Sequence, residues 1–111
     1  MKVFELVTEL KLQVFAGEQG LENEITGGYV SDLLSDVMGF ATEGQVWITL
    51  QTHQNVLAVA SLKDLAAIII VKGYTPEGDT IAHSNREGVP LLGTTLPAFE
   101  VAGRLYRLLC P

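Results

Sequence analysis

The chain has 111 residues, enough for one domain with a buried core, and 48% of them are hydrophobic against 18% charged, which excludes an intrinsically disordered chain. Thirteen acids against seven bases give a net charge of −6, and the bases are scattered, which argues against nucleic acid and against an anionic membrane surface as partners. A single cysteine, Cys110, supplies neither a disulfide framework nor a metal cluster.

The first element is VFELVTEL (3–10), in which Val3, Leu6, Val7 and Leu10 recur at helical spacing. Its glutamates, Glu5 and Glu9, stand where a secretory signal needs an apolar stretch, so a cytoplasmic protein is expected. KLQVF (11–15) alternates and fits an edge strand, AGEQGLENE (16–24) is turn chemistry, and ITGGYV (25–30) is extended but interrupted by two glycines. SDLLSDVMGFA (31–41) has helical periodicity, with Ser31 or Asp32 as its cap and Leu33, Leu34, Val37, Met38 and Ala41 as its inward stripe.

From Val46 onward one rhythm recurs. VWITL (46–50), AIIIV (67–71) and VPLLG (89–93) are apolar strand-like runs, each followed by a helical stretch: 54–64, from Thr75-Pro76 to about Glu87, and from Pro97 to Leu109. AIIIV is apolar at every position, as suits a parallel strand covered on both faces. Three strand–helix units predict one α/β domain over 1–111, with right-handed crossovers and helices on both sides of a small, mainly parallel sheet. The longest charge-free run, between Glu43 and Lys63, is broken by Gln51-Thr52-His53-Gln54-Asn55 and does not suit a bilayer core.

In parallel sheets the carboxyl ends of the strands share one edge, and ligands bind there. The loops assigned to that edge are Thr26-Gly27-Gly28, Gln51 to Asn55, Lys72 to Thr75, and Gly93-Thr94-Thr95. Glycine lets a ligand approach the backbone, and N–H groups at a helix start favour an anion. Thr26, Gly27, Gly28, Thr52, His53, Asn55 and Thr94 are therefore the candidate rim of a small-anion pocket. The competing role for the same residues is to cap helices and form turns.

His53 is the candidate general base of an enzyme, or else a loop histidine bonded to a neighbouring turn. His83, in IAHSNREG, is expected in solvent, and Asp32 and Asp36 read as capping and surface charge. The chain has no G-x-x-x-x-G-K-[ST], G-x-S-x-G, C-x-x-C or H-E-x-x-H motif, so neither catalysis nor a metal or cofactor is expected. NVLAVASL (55–62) bears no charge and is expected to be wrapped by the N-terminal helix or by another subunit. Together with LPAFEVAGRLYRLL (96–109), it predicts a homodimer.

ITGGYVSDLLSDVM, QVWITLQTHQNVLAVASL, AAIIIV and FEVAGRLYRLL, in that order, resemble the DRTGG domain from about Leu10 to the end of the chain. Where the family name spells Asp-Arg-Thr-Gly-Gly, this chain has Glu24-Ile25-Thr26-Gly27-Gly28, so a role of that arginine does not transfer. The resemblance implies a three-layer α/β/α sandwich similar to the N-terminal domain of HPr kinase/phosphorylase and, more distantly, to the substrate-binding domain of muramyl ligases. It also implies a linking, oligomerising or regulatory unit, of the kind found beside CBS domains and a phosphatase or as stand-alone copies among iron-hydrogenase and signalling genes. The resulting expectation is a non-catalytic regulatory module that homodimerises and senses a small anionic metabolite or nucleotide. Its rival is a scaffold module with a protein partner and no small ligand.

Overall fold

A computed structural model describes residues 1–111. Five strands, β1 (Gln13–Ala16), β2 (Gly27–Val30), β3 (Gln45–Thr49), β4 (Ala67–Ile70) and β5 (Leu91–Gly93), form one sheet in the order β1-β5-β4-β3-β2. Strands β2 to β5 run parallel, and β1 pairs antiparallel with β5. The helices are α1 (Val3–Leu10), α2 (Leu34–Phe40), α3 (Asn55–Leu62), α4 (Gly78–Glu87) and α5 (Ala98–Leu109).

Each crossover from β2 to β5 advances one strand in the same direction, so a common hand places α2, α3 and α4 on one face. Helices α1 and α5 cover the other face, with α5 lying over β2 and β3. Side-chain alternation along the strands divides the core accordingly. Val46, Ile48, Ala67, Ile69 and Leu92 join the α1/α5 side, whereas Trp47, Ile68, Ile70 and Leu91 join the other. Ile68, Ile69 and Ile70 are all fully buried, which is why β4 needs an unbroken apolar run. Each such side chain contributes roughly 1.5–3 kcal/mol on burial. The result is the expected three-layer α/β/α sandwich.

Two local expectations differ. Uncharged α3 is the middle helix of its layer, flanked by α2 and α4, while α1 lies on the opposite face. Val56, Leu57, Val59 and Ala60 are buried, and the outward positions are Asn55, Ala58 and Leu62. Neighbours on both flanks cover sides that an outermost helix would leave wet, so this apolar surface requires no second subunit. Helix α2 begins at Leu34 without a side-chain cap, because Ser31 and Asp32 are engaged elsewhere. Of its expected stripe Val37 and Ala41 are buried, whereas Leu33 and Met38 are exposed. A helix of two turns meets the sheet along one narrow line, and Leu33 precedes it in extended conformation.

Candidate functional site

After β4 the chain leaves the sheet toward α4 on one face, and after β5 it leaves toward α5 on the other. The two connections part, and a cleft opens between them, as at a topological switch point. Its volume is about 460 Å³, and its walls include Gly73, Tyr74 and Thr75 after β4, Thr94 and Thr95 after β5, Lys11 before β1 and Gln13 at its start, and Arg104 of α5. The floor is rigid. Tyr74 N–H closes a tight turn on the Val71 carbonyl at 3.2 Å, Gly73 N–H reaches the Thr94 carbonyl at 2.8 Å, and Lys72 N–H reaches that of Leu96 at 2.9 Å. Lys72 and Gly73 have φ of 61° and 74°, a pair of left-handed residues that glycine adopts freely and lysine does not. The Thr94 hydroxyl accepts the Leu96 N–H at 3.1 Å, and its own proton remains available to a ligand.

Among the residues expected at one rim, Thr94 lines this cleft. Thr52, His53 and Asn55 follow β3 at the same end of the sheet but face local partners. The Thr52 carbonyl accepts the Thr80 hydroxyl at 2.7 Å and the Glu77 N–H at 3.3 Å. His53 Nδ1 accepts the Asn55 N–H at 3.3 Å, and Asn55 opens α3.

Thr26, Gly27 and Gly28 lie at the opposite end. Gly27 pairs with Gln45, the first residue of β3, so the two glycines begin β2 rather than follow a strand. The seven residues therefore do not share one rim. The Thr26 hydroxyl donates to the Glu43 carbonyl at 2.8 Å. A Cβ at Gly28 would stand 2.9 Å from a Leu105 methyl, so this glycine lets α5 lie close on β2. Thr26, Gly27 and Gly28 border a second cavity of about 620 Å³ between β2 and α5, whose wall from α5 is Ala102, Leu105, Tyr106 and Leu109. It contains no charged side chain. A third cavity of about 610 Å³ at the same end is bordered by Glu24, Glu43, Asp64 and Glu87 and by no base.

Several polar contacts lay outside the sequence expectations. The Asp32 carboxylate accepts the Thr49 hydroxyl at 2.9 Å and the Leu50 N–H at 2.8 Å, and Trp47 Nε1 donates to the Ser31 carbonyl at 2.7 Å. Asp32 thus bolts the connection after β2 to the end of β3 instead of capping α2. The Tyr29 hydroxyl donates to Asp36 at 2.9 Å, and burial first, then that bond, pushes the phenol above its usual range. His83 is mostly covered, not solvated: its side chain is 19% exposed, Nδ1 is buried without a partner, and Nε2 lies 3.5 Å from Glu87. Lys11 and Arg104 were not among the candidate residues, and only the return of α5 across the sheet brings Arg104 to the cleft. No group of three or more His, Cys, Asp or Glu side chains is arranged to hold a metal ion. No helix is long and apolar enough to cross a membrane.

No family model matches the sequence, and no curated protein matches it. A solved structure does. The chain is similar to the CBS and DRTGG domains of the regulatory region of Clostridium perfringens pyrophosphatase, complexed with its activator, diadenosine tetraphosphate. The TM-score is 0.72 at 17% identity, over 94% of this chain and 45% of that one. This chain therefore spans less than half the length of the one it matches. At that identity the likeness is one of fold, and the chain has a DRTGG-like fold.

Proposed function

We propose that this chain is a non-catalytic, cytoplasmic regulatory module that homodimerises and senses a small anionic metabolite, nucleotides being the first class to test. The observation that carries the reading is the cleft formed where the connections after β4 and β5 part. The similar regulatory region, which binds a nucleotide activator, supports it. So does His53, whose Nδ1 is engaged by its own turn rather than aimed at a nucleophile. Association with hydrogenase or signalling proteins belongs to the same proposal.

The dimer surface is assigned to α5 and β2. Phe99 and Tyr106 are 92% and 69% exposed and lie seven residues apart on one stripe of α5, with Ala102 and Gly103 between them. Beside them β2 is an edge strand, paired only with β3. The same stripe also favours the second reading, a scaffold module whose partner is another protein.

A thermal-shift screen across adenine nucleotides and phosphorylated metabolites tests sensing. A ligand at a hundred times its Kd stabilises by about 2.7 kcal/mol, a rise of several degrees for a domain of this size. A flat screen overturns sensing and leaves the scaffold reading. Light scattering tests the dimer: a dimer that Tyr106→Glu converts to a well-folded monomer supports the assignment, and a monomeric wild type at high micromolar concentration overturns it.

A further inference from the structure

We propose that the β4–β5 cleft binds the phosphate group of a small metabolite through Lys11, Lys72 and Arg104, with the hydroxyls of Thr75, Thr94 and Thr95 as further donors. This rests on the sensing reading and names the chemistry of its site.

Charge is the first observation. The chain has seven bases against thirteen acids, yet the wall of this cleft includes Lys11 and Arg104 and no acid, and Lys72 adjoins Gly73 at its edge. The cavity bordered by Glu24, Glu43, Asp64 and Glu87 has the reverse composition. Lys11 comes from the turn after α1 and Arg104 from the second turn of α5, with Lys72 next to Gly73 in the turn after β4, so the fold, not local sequence, brings these segments together. A concave surface lined by one sign of charge concentrates ligands of the other sign.

Backbone conformation is the second. Lys11 and Lys72 have φ of 55° and 61°, and they are two of the three non-glycine residues in the left-handed region. Glycine would occupy either position without the strain that a side chain incurs there. The chain keeps a lysine at both.

The third is availability. Neither lysine is within salt-bridge distance of a carboxylate, and Arg104 is held only by the exposed Glu100 at 2.6 Å, one turn away on its own helix. Such an exposed pair within one helix is weak, so the guanidinium is readily recruited. Three cations and three hydroxyls suit a dianionic, multiply accepting group better than a carboxylate. Tyr74, 48% exposed at the mouth, offers a ring face to whatever the phosphate carries.

The test is isothermal titration of the full chain with three probes: ATP, inorganic pyrophosphate and adenosine. It is repeated on Lys72→Gln and Arg104→Gln and on the control Glu43→Gln, with circular dichroism confirming that each variant is folded. The proposal expects ATP and pyrophosphate to bind, each cleft substitution to weaken them about tenfold or more, and the control to leave them unchanged. Rising salt should weaken both probes. Phosphate binding that survives the cleft substitutions overturns this site and leaves sensing intact. Adenosine binding as tight as ATP overturns the phosphate assignment. No binding by any probe overturns the proposal, and the wider metabolite screen then decides the sensing reading separately.

Discussion

At the carboxyl end of the sheet the chain changes faces, after β5, and the two connections that part there leave a basic cleft. At the amino end the parallel strands are entered from segments that bear Glu24, Glu43, Asp64 and, at the end of α4, Glu87, and the cavity among them is acidic. The net charge of −6 describes neither end. Topology accounts for the difference in shape, since three crossovers of one hand keep α2, α3 and α4 together and only the last helix crosses over. Bases that are sparse and scattered in the sequence gather at one edge because distant turns are delivered there.

The strongest way to break this comparison is to loosen the carboxyl end and ask whether the amino end responds alike. Asp32→Ala leaves the Thr49 hydroxyl, in a residue 1% exposed, and the Leu50 N–H without their acceptor. The expected cost is about 2–3 kcal/mol in urea denaturation. Thr26→Val at the amino end removes an exposed hydroxyl's bond to the Glu43 carbonyl and should cost less than about 1 kcal/mol. Equal losses would show that the connection after β2 is no more firmly held than the loop before it.

Glycine substitutions sharpen the same contrast at smaller scale. A Cβ on Gly93, at the end of β5, would collide with the Phe15 ring of β1, so Gly93→Ala is expected to cost about 1–3 kcal/mol as the ring is displaced. At Gly27 the nearest atom to an added Cβ is 3.7 Å away, on the Gln45 side chain. Its φ is not in the left-handed region, so Gly27→Ala should be neutral or stabilise by about 0.4–1 kcal/mol through the unfolded state. A Gly27→Ala variant that melts well below the wild type would mean that this glycine serves the backbone after all.

The parts of the fold legible in the residues were those whose chemistry is local. AIIIV is apolar throughout because both its faces are covered, and VFELVTEL repeats at 3.6 residues because one side of α1 packs inward. That Thr26-Gly27-Gly28 lies at the amino end, not the carboxyl end, of the sheet has an equally physical reason. In an edge strand of four residues that opens with two glycines only Tyr29 and Val30 carry β-propensity, and pairing alone decides that Gly27 stands opposite Gln45. Of the candidate rim, Thr94 was legible as a loop residue beyond a strand, whereas Lys11 and Arg104 become neighbours only through the path of α5. Spacing along a chain cannot report which face a helix takes. His83 misled because IAHSNREG reads as polar throughout, while Thr80 and Ser84 are fully buried against the sheet.

The smallest expected effect uses Lys2, among the acids near the amino end, as a reporter of their field. A hydrogen bond and the charge of Glu22 raise its pKa above the ordinary 10.5, with Glu24 and Glu5 adding to the rise against some desolvation. Tyr29 is also raised from 10.0, by burial before its bond to Asp36. A raised folded pKa means that the native state binds more protons than the unfolded chain, so both contributions are whole below the ordinary values and fade as the pH climbs through them. Stability should therefore decline as the pH rises past the ordinary values of 10.0 for Tyr29 and 10.5 for Lys2. Because Lys2 is held by exposed carboxylates, added salt should flatten its share of that decline, whereas the share of Tyr29, set first by burial, should persist. Lys2→Met and Tyr29→Phe separate the two, and a slope insensitive to Lys2→Met at low salt would mean that the amino-end acids exert no field the protein can feel.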